Sequence, residues 1–216
     1  MEQQRRLCLP WRLPAALVAA TLLVTTMTGC SRSPPVVFYT LTEIPSTMGS
    51  SKVPTFEILV GPVILPEILD RPQLVTRAGD NRVTVLQQQV WAAPLKSEVP
   101  RVLAANLNQL LPDAAVTVEP QPATGRPLWR VAVEIQRFDA TPGSAVSLEA
   151  VWSVQGAPGT EAKIGYSVLQ EPVSVPGYDA LVTAHTAAIA ALSREIAAAT
   201  RVLRSTPAVP APKAAK

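Results

Sequence analysis

Apolar and polar positions alternate most cleanly in the second half of the chain. Trp129, Val131, Val133 and Ile135 fall on one face of an extended segment, with Arg130, Glu134 and Gln136 on the other. Val146, Leu148, Ala150, Trp152 and Val154 repeat the period, and Ile164, Tyr166 and Val168 give a third run. A period of two is that of a strand with one covered face. Thr141-Pro142-Gly143 and Gly156-Ala157-Pro158-Gly159 separate the runs with turn residues, which predicts an antiparallel meander.

A helical period appears twice. Val99, Leu103, Leu107 and Leu110 make one apolar face of a helix that starts near Pro94 or Ser97 and ends at Leu111. Pro100 is tolerated only in a first turn, so it predicts a late start or a bend. From Tyr178 to Arg204 the stripe is Leu181, His185, Ile189, Leu192, Ile196 and Leu203, with Arg194, Glu195, Arg201 and Arg204 outside it. The many alanines favour helix and close packing on a sheet.

The first half is less regular. Val36–Ile44 and Phe56–Val63 read as strands, the second ending at Gly61-Pro62 because proline cannot donate to a ladder. Glu67–Asp70 reads as one helical turn. Gln73–Arg77 and Arg82–Gln88 flank Ala78-Gly79-Asp80-Asn81, which predicts a hairpin, and Ala115–Glu119 is a further short strand. The order ββββα-ββββ-α predicts an α/β fold: one domain, a mixed β-sheet with two main helices packed on it.

Composition changes the picture mainly at the N-terminus. Arg5, Arg6 and Arg12 precede a mainly apolar stretch from Leu13 to Thr28, of about 16 residues where a spanning helix needs about 20. This is the pattern of a secretory signal, and it ends in Met27-Thr28-Gly29-Cys30, which resembles the bacterial lipobox. The organisation expected is a lipoprotein signal peptide over 1–29, a lipidated tether over 30–37, a domain over 38–204, and a Pro/Ala-rich disordered tail over 205–216. Cys30 would carry the acyl chains, palmitate among them, and Ser31 in place of an aspartate favours the outer membrane.

The 216 residues hold 2 cysteines and 1 histidine at a net charge of +3. Of the 19 basic and 16 acidic residues, the signal removes three Arg and one Glu, leaving 16 and 15. No nucleic-acid footprint follows from so small an excess. Cys8 leaves with the signal, so the mature chain has no thiol for catalysis or a disulfide. A lone His185 in an apolar stripe reads as a core residue with one hydrogen-bond partner. The sequence has no Gly-x-Ser-x-Gly elbow, no Walker pattern and no acid cluster at ligand spacing, so neither a metal nor a cofactor beyond the covalent lipid on Cys30 is expected. A pair of carboxylates remote in sequence remains open as a hydrolase site.

Asp70-Arg71-Pro72-Gln73 places a charged pair and a proline between two apolar runs. Locally, Asp70 would cap or pair with Arg71 while Pro72 fixes the start of a strand. Alternatively the segment docks a partner, with Arg71 as a multidentate donor. Trp91, beside the start of a helix, reads as core or as interface.

The run Val60 to Glu67 followed by Leu69-Asp70-Arg71-Pro72-Gln73-Leu74-Val75-Thr76-Arg77 resembles the signature of the ABC-type transport auxiliary lipoproteins, also called paraquat-inducible C-type lipoproteins. Phe38-Tyr39-Thr40-Leu41, Trp91-Ala92-Ala93-Pro94-Leu95, Phe138-Asp139, Ala150-Val151-Trp152 and Leu192-Ser193-Arg194-Glu195-Ile196-Ala197 match in order, over about residues 30–204. The resemblance implies a periplasm-facing, non-catalytic lipoprotein that serves an MCE-domain protein in lipid transport between inner and outer membranes, supporting membrane integrity. Asp70, Arg71, Pro72, Gln73 and Trp91 are then candidate docking or motif residues. A homo-oligomer around a tubular partner is compatible with this, although no coiled-coil or repeat demonstrates it. The rival expectations are a lipid carrier with its own cavity and a carboxylate hydrolase.

Overall fold

A computed structural model describes residues 33–45, 53–120, 128–156 and 162–205. The signal, Cys30, the terminal tail and part of the Gly156–Gly159 turn lie outside the described residues. Eight strands form one mixed sheet: β1 (Val37–Tyr39), β2 (Phe56–Ile64), β3 (Gln73–Arg77), β4 (Val83–Trp91), β5 (Ala114–Val118), β6 (Leu128–Ala140), β7 (Ala145–Gln155) and β8 (Lys163–Pro172). Two helices, α1 (Leu95–Leu110) and α2 (Tyr178–Ser205), follow β4 and β8. The order of elements is the one expected from the pattern.

Strand β6 organises the sheet. It pairs along its length with β7, and β7 with β8, as the antiparallel meander expected. Its other edge is shared. Parallel β2 takes Leu128 to Glu134, and β3 joins at Thr76↔Ala140. The chain from β2 to β3 therefore meets the same edge of β6 twice, over Glu57–Ile64 and again at Thr76. Strands β3 and β4 form the expected hairpin, β1 adds in parallel to β4, and β5 adds in parallel to β2. The helices touch each other and pack on one face of the sheet, α2 over β7 and β8 and α1 over β5 and β2. Inward residues such as Ile58, Val131, Val146 and Leu148 lie buried beneath Leu103, Leu107, Ile189 and Leu192. Each such side chain stabilises the fold by about 1.5–3 kcal/mol relative to exposure.

Four local expectations are corrected. The first strand ends at Tyr39, well before Ile44, because helix side chains replace the ladder: the Glu98 carboxylate accepts from Leu41 N (3.0 Å) and from the Thr40 hydroxyl (2.9 Å). Asn106 Oδ1 accepts from Ile44 N at 2.8 Å, and Thr186 Oγ1 from Thr42 N at 3.3 Å, so residues 40–44 are strapped to both helices. Strand β2 continues past Pro62 to Ile64 through a register shift. Pairing with β5 stops at Val60↔Val118, so Pro62 faces no partner there that needs its missing N–H. Gly61 is required at this bend, since its φ is 148° and an added Cβ would meet Glu119 Cβ at 2.7 Å. Helix α1 starts at Leu95, within the expected range, but Pro100 lies past its first turn, inside the helix.

The fourth correction concerns β8, whose apolar residues Ile164, Tyr166 and Val168 face solvent. Its inward positions hold Gly165 and Ser167 because the Trp152 ring fills that space. A Cβ on Gly165 would lie 2.1 Å from the indole. Trp152 Nε1 donates to Ser167 Oγ at 2.8 Å, and Ser167 donates to Glu195 of α2. The polar interior is thus paired; among the described residues no buried side-chain N or O lacks a partner.

Candidate functional site

The segment that leaves β6 builds a polar corner. Pro66 to Leu69 close a single 3-10 turn, with Leu69 N donating to Pro66 O (2.9 Å) and Asp70 N to Glu67 O (3.0 Å). Leu69 is buried and pins the turn to the core. Arg71 Nε donates to Ile68 O at 2.9 Å, which holds the guanidinium stem across the turn. Pro72 O accepts from Trp91 N at 2.6 Å, and Gln73 pairs with Val90, so Pro72 fixes the start of β3 as expected.

Asp70 does not pair with Arg71. Its carboxylate meets Lys96 Nζ of α1 at 3.1 Å, with both side chains more than half exposed. Such a pair is worth roughly 0–1 kcal/mol. Among the described residues Arg71 has no carboxylate partner. Asp70 and Pro72 are exposed, Arg71 and Gln73 half-buried. The structure therefore gathers these four residues at one surface corner and leaves the Arg71 fork unmatched by acid among the described residues.

The Trp91 side chain, by contrast, turns into the core. It is 5% exposed and stacks edge-on against His185 at 5.6 Å, while His185 stacks on Phe138 at 4.7 Å. His185 Nδ1 lies 2.7 Å from Leu181 O, and since a carbonyl only accepts, Nδ1 carries the proton. Burial lowers the imidazole pKa to about 4, so the ring is neutral at ordinary pH. It is the core histidine with one hydrogen-bond partner that its stripe predicts.

Beside the 3-10 turn opens a polar cleft of about 560 Å³, lined by Pro66, Ile68, Arg77, Arg137, Asp139 and Glu149 among others. Asp139 Oδ2 accepts from Arg77 Nε (2.9 Å) and Arg137 Nε (2.8 Å), and Arg137 Nη1 reaches Glu149 Oε1 at 3.2 Å. Hydrogen bonds to Asp139 and then Glu149 raise the Arg137 pKa. Both guanidiniums are paired with Asp139, and Arg137 also with Glu149, and Asp80 is also on the lining, so the cleft's cations are occupied within it. Sequence reasoning missed the cluster because its members come from three strands. The outward Arg137 and Asp139 on β6 are the signal that could have found it. On the sheet's outer face, Pro62, Ile64, Val151 and Ile164 border a shallow apolar groove of about 280 Å³.

No group of three metal-ligating side chains occurs among the described residues. No described helix is long and apolar enough to cross a membrane.

This two-layer domain, with helices on one face of a branched mixed sheet, is shared with proteins of known structure. One crystal structure of an uncharacterized protein superposes with a TM-score of 0.63 at 20% identity, covering 77% of this chain and 99% of the other. A DUF330-family protein from Xanthomonas campestris superposes at 0.60 and 15% identity, covering 78% and 96%. No curated protein sequence matches. Residues 39–197 match the ABC-type transport auxiliary lipoprotein component family, and the chain belongs to it. Its class of function is therefore an auxiliary part of a transport system, carried by a lipoprotein.

Proposed function

We propose that the protein is a non-catalytic accessory of an MCE-type lipid transport system, held in the outer membrane by lipid on Cys30 and facing the periplasm. The family match over 39–197 carries this reading. The corner Asp70-Arg71-Pro72-Gln73 is the docking surface for the MCE-domain partner. Support for the corner comes from Arg71, whose stem is fixed by Ile68 O while its fork has no acid of its own among the described residues. A positioned guanidinium offers bidentate hydrogen bonds to a partner's carboxylate. The clefts weigh against the carrier alternative. The apolar groove, at about 280 Å³, falls below the ~300–1,000 Å³ of pockets that enclose a drug-sized ligand, and the larger cleft is polar and ion-paired.

The test is Arg71→Ala in the full lipidated chain. Co-purification with the MCE-domain protein should fall while the thermal midpoint stays nearly unchanged, because the residue gives the fold one exposed hydrogen bond. Retained co-purification would remove the corner from the interface; a large fall in midpoint would make the motif structural.

A further inference from the structure

The strap over residues 40–44 fixes how the domain meets its membrane. Thr40, Leu41, Thr42 and Ile44 are bonded to Glu98, Thr186 and Asn106, so the chain has no slack after Tyr39. From Cys30 to Val36 are six residues, two of them Pro34 and Pro35. At ~3.3–3.6 Å per residue they reach about 20 Å at most. The domain is roughly 40 Å across for its length. An anchor at Cys30 can therefore bring only the surface around Val36 to the bilayer.

That surface is apolar. Val36, Val37 and Phe38 are 49%, 42% and 66% exposed, three consecutive apolar residues of a kind that water-facing surfaces avoid. Tyr178, at the start of α2, is also exposed. Val175, three residues earlier, is exposed as well. Among the described residues, strand β1 is the end of the sheet and pairs only with β4. Its free backbone edge needs water or headgroups, which hydrocarbon does not supply. Aliphatic and aromatic side chains beside a polar edge suit the headgroup level of a bilayer, where aromatic residues concentrate.

We propose that Val36, Val37 and Phe38 form a membrane-facing surface that rests on the phospholipid leaflet holding the Cys30 anchor. This rests on the lipoprotein reading above and deepens it: the anchor does more than tether, because it orients the domain. Strand β8, reached from β6 through β7, lies across the sheet from β1, so its exposed Ile164 serves as the reference position away from the patch.

The test uses the full chain, processed in cells and reconstituted into phosphatidylethanolamine/phosphatidylglycerol vesicles. Intact mass first establishes acylation. Val36→Cys, Phe38→Cys and Ile164→Cys each place one thiol, since an acylated Cys30 is a thioether and Cys8 has left. Each is labelled with bimane, and the thermal midpoint confirms folding. Brominated phospholipids should take the larger part of the emission at positions 36 and 38 and leave 164 unchanged, while aqueous iodide should do the reverse. Emission at 36 and 38 that follows iodide, as at 164, overturns the proposal and leaves the anchor intact. Labels shielded from both quenchers also overturn it, since a protein then covers the patch. A chain that carries no acyl group defeats the lipoprotein reading and this proposal with it.

Discussion

Replacing His185 with leucine tests how the core is built, because the only histidine of the chain sits between Trp91 and Phe138. Its pKa is lowered from 6.5 to about 4, chiefly by burial, so the folded protein resists a proton that the unfolded chain accepts. The unfolded state then binds more protons between these values, and stability rises with pH. The contribution is fully present above pH 6.5 and is lost as pH falls towards 4. The difference amounts to about 3 kcal/mol, at 1.36 kcal/mol for each pH unit. Leucine is close in volume, and Leu181 O keeps its helix hydrogen bond, so the variant should lose only about 1 kcal/mol at pH 7. Urea unfolding followed through the buried Trp91, Trp129 and Trp152 gives the stability at each pH. Wild type minus variant isolates the imidazole from the carboxylates common to both. The difference should shift steadily against the wild type between pH 6.5 and 4, approaching one proton's slope. A pH-independent difference, or an imidazole that titrates near 6.5 by NMR, would refute the buried neutral ring.

Two further substitutions probe non-local contacts. Gly165→Ala forces a Cβ into the Trp152 ring and should cost about 1–3 kcal/mol in urea unfolding; an unchanged midpoint would show that the indole does not lie across the strand. Glu98→Ala leaves the buried Leu41 N–H without its acceptor, at about 1–3 kcal/mol, and should speed amide exchange at Leu41 and proteolysis within 40–44. Protection equal to wild type would mean that the strap is held by other contacts.

The period-two runs at 129–135 and 146–154 and the two helical stripes were legible because each records burial of one face by a single neighbouring layer. The β3–β4 hairpin was legible from its turn residues. What escaped depends on partners remote in sequence. The carboxylate that ends β1 is on α1, 57 residues after Leu41. Apolar Ile164, Tyr166 and Val168 lost the inward face because Trp152 already occupied it, and alternation alone does not say which face is covered. Asp70 found Lys96, 26 residues away, instead of its neighbour Arg71. The site was legible as a motif. Its geometry came from the way β2 and β3 share one edge of β6, which no local pattern encodes.

Affinity purification of the acylated protein from gently solubilised envelopes, with every co-purifying chain and lipid identified by mass spectrometry, tests the central claim most directly. The account predicts an MCE-domain protein recovered with it in fixed proportion, and recovery reduced by Arg71→Ala. Recovery of the protein alone with stoichiometric phospholipid would contradict it and make the domain a carrier.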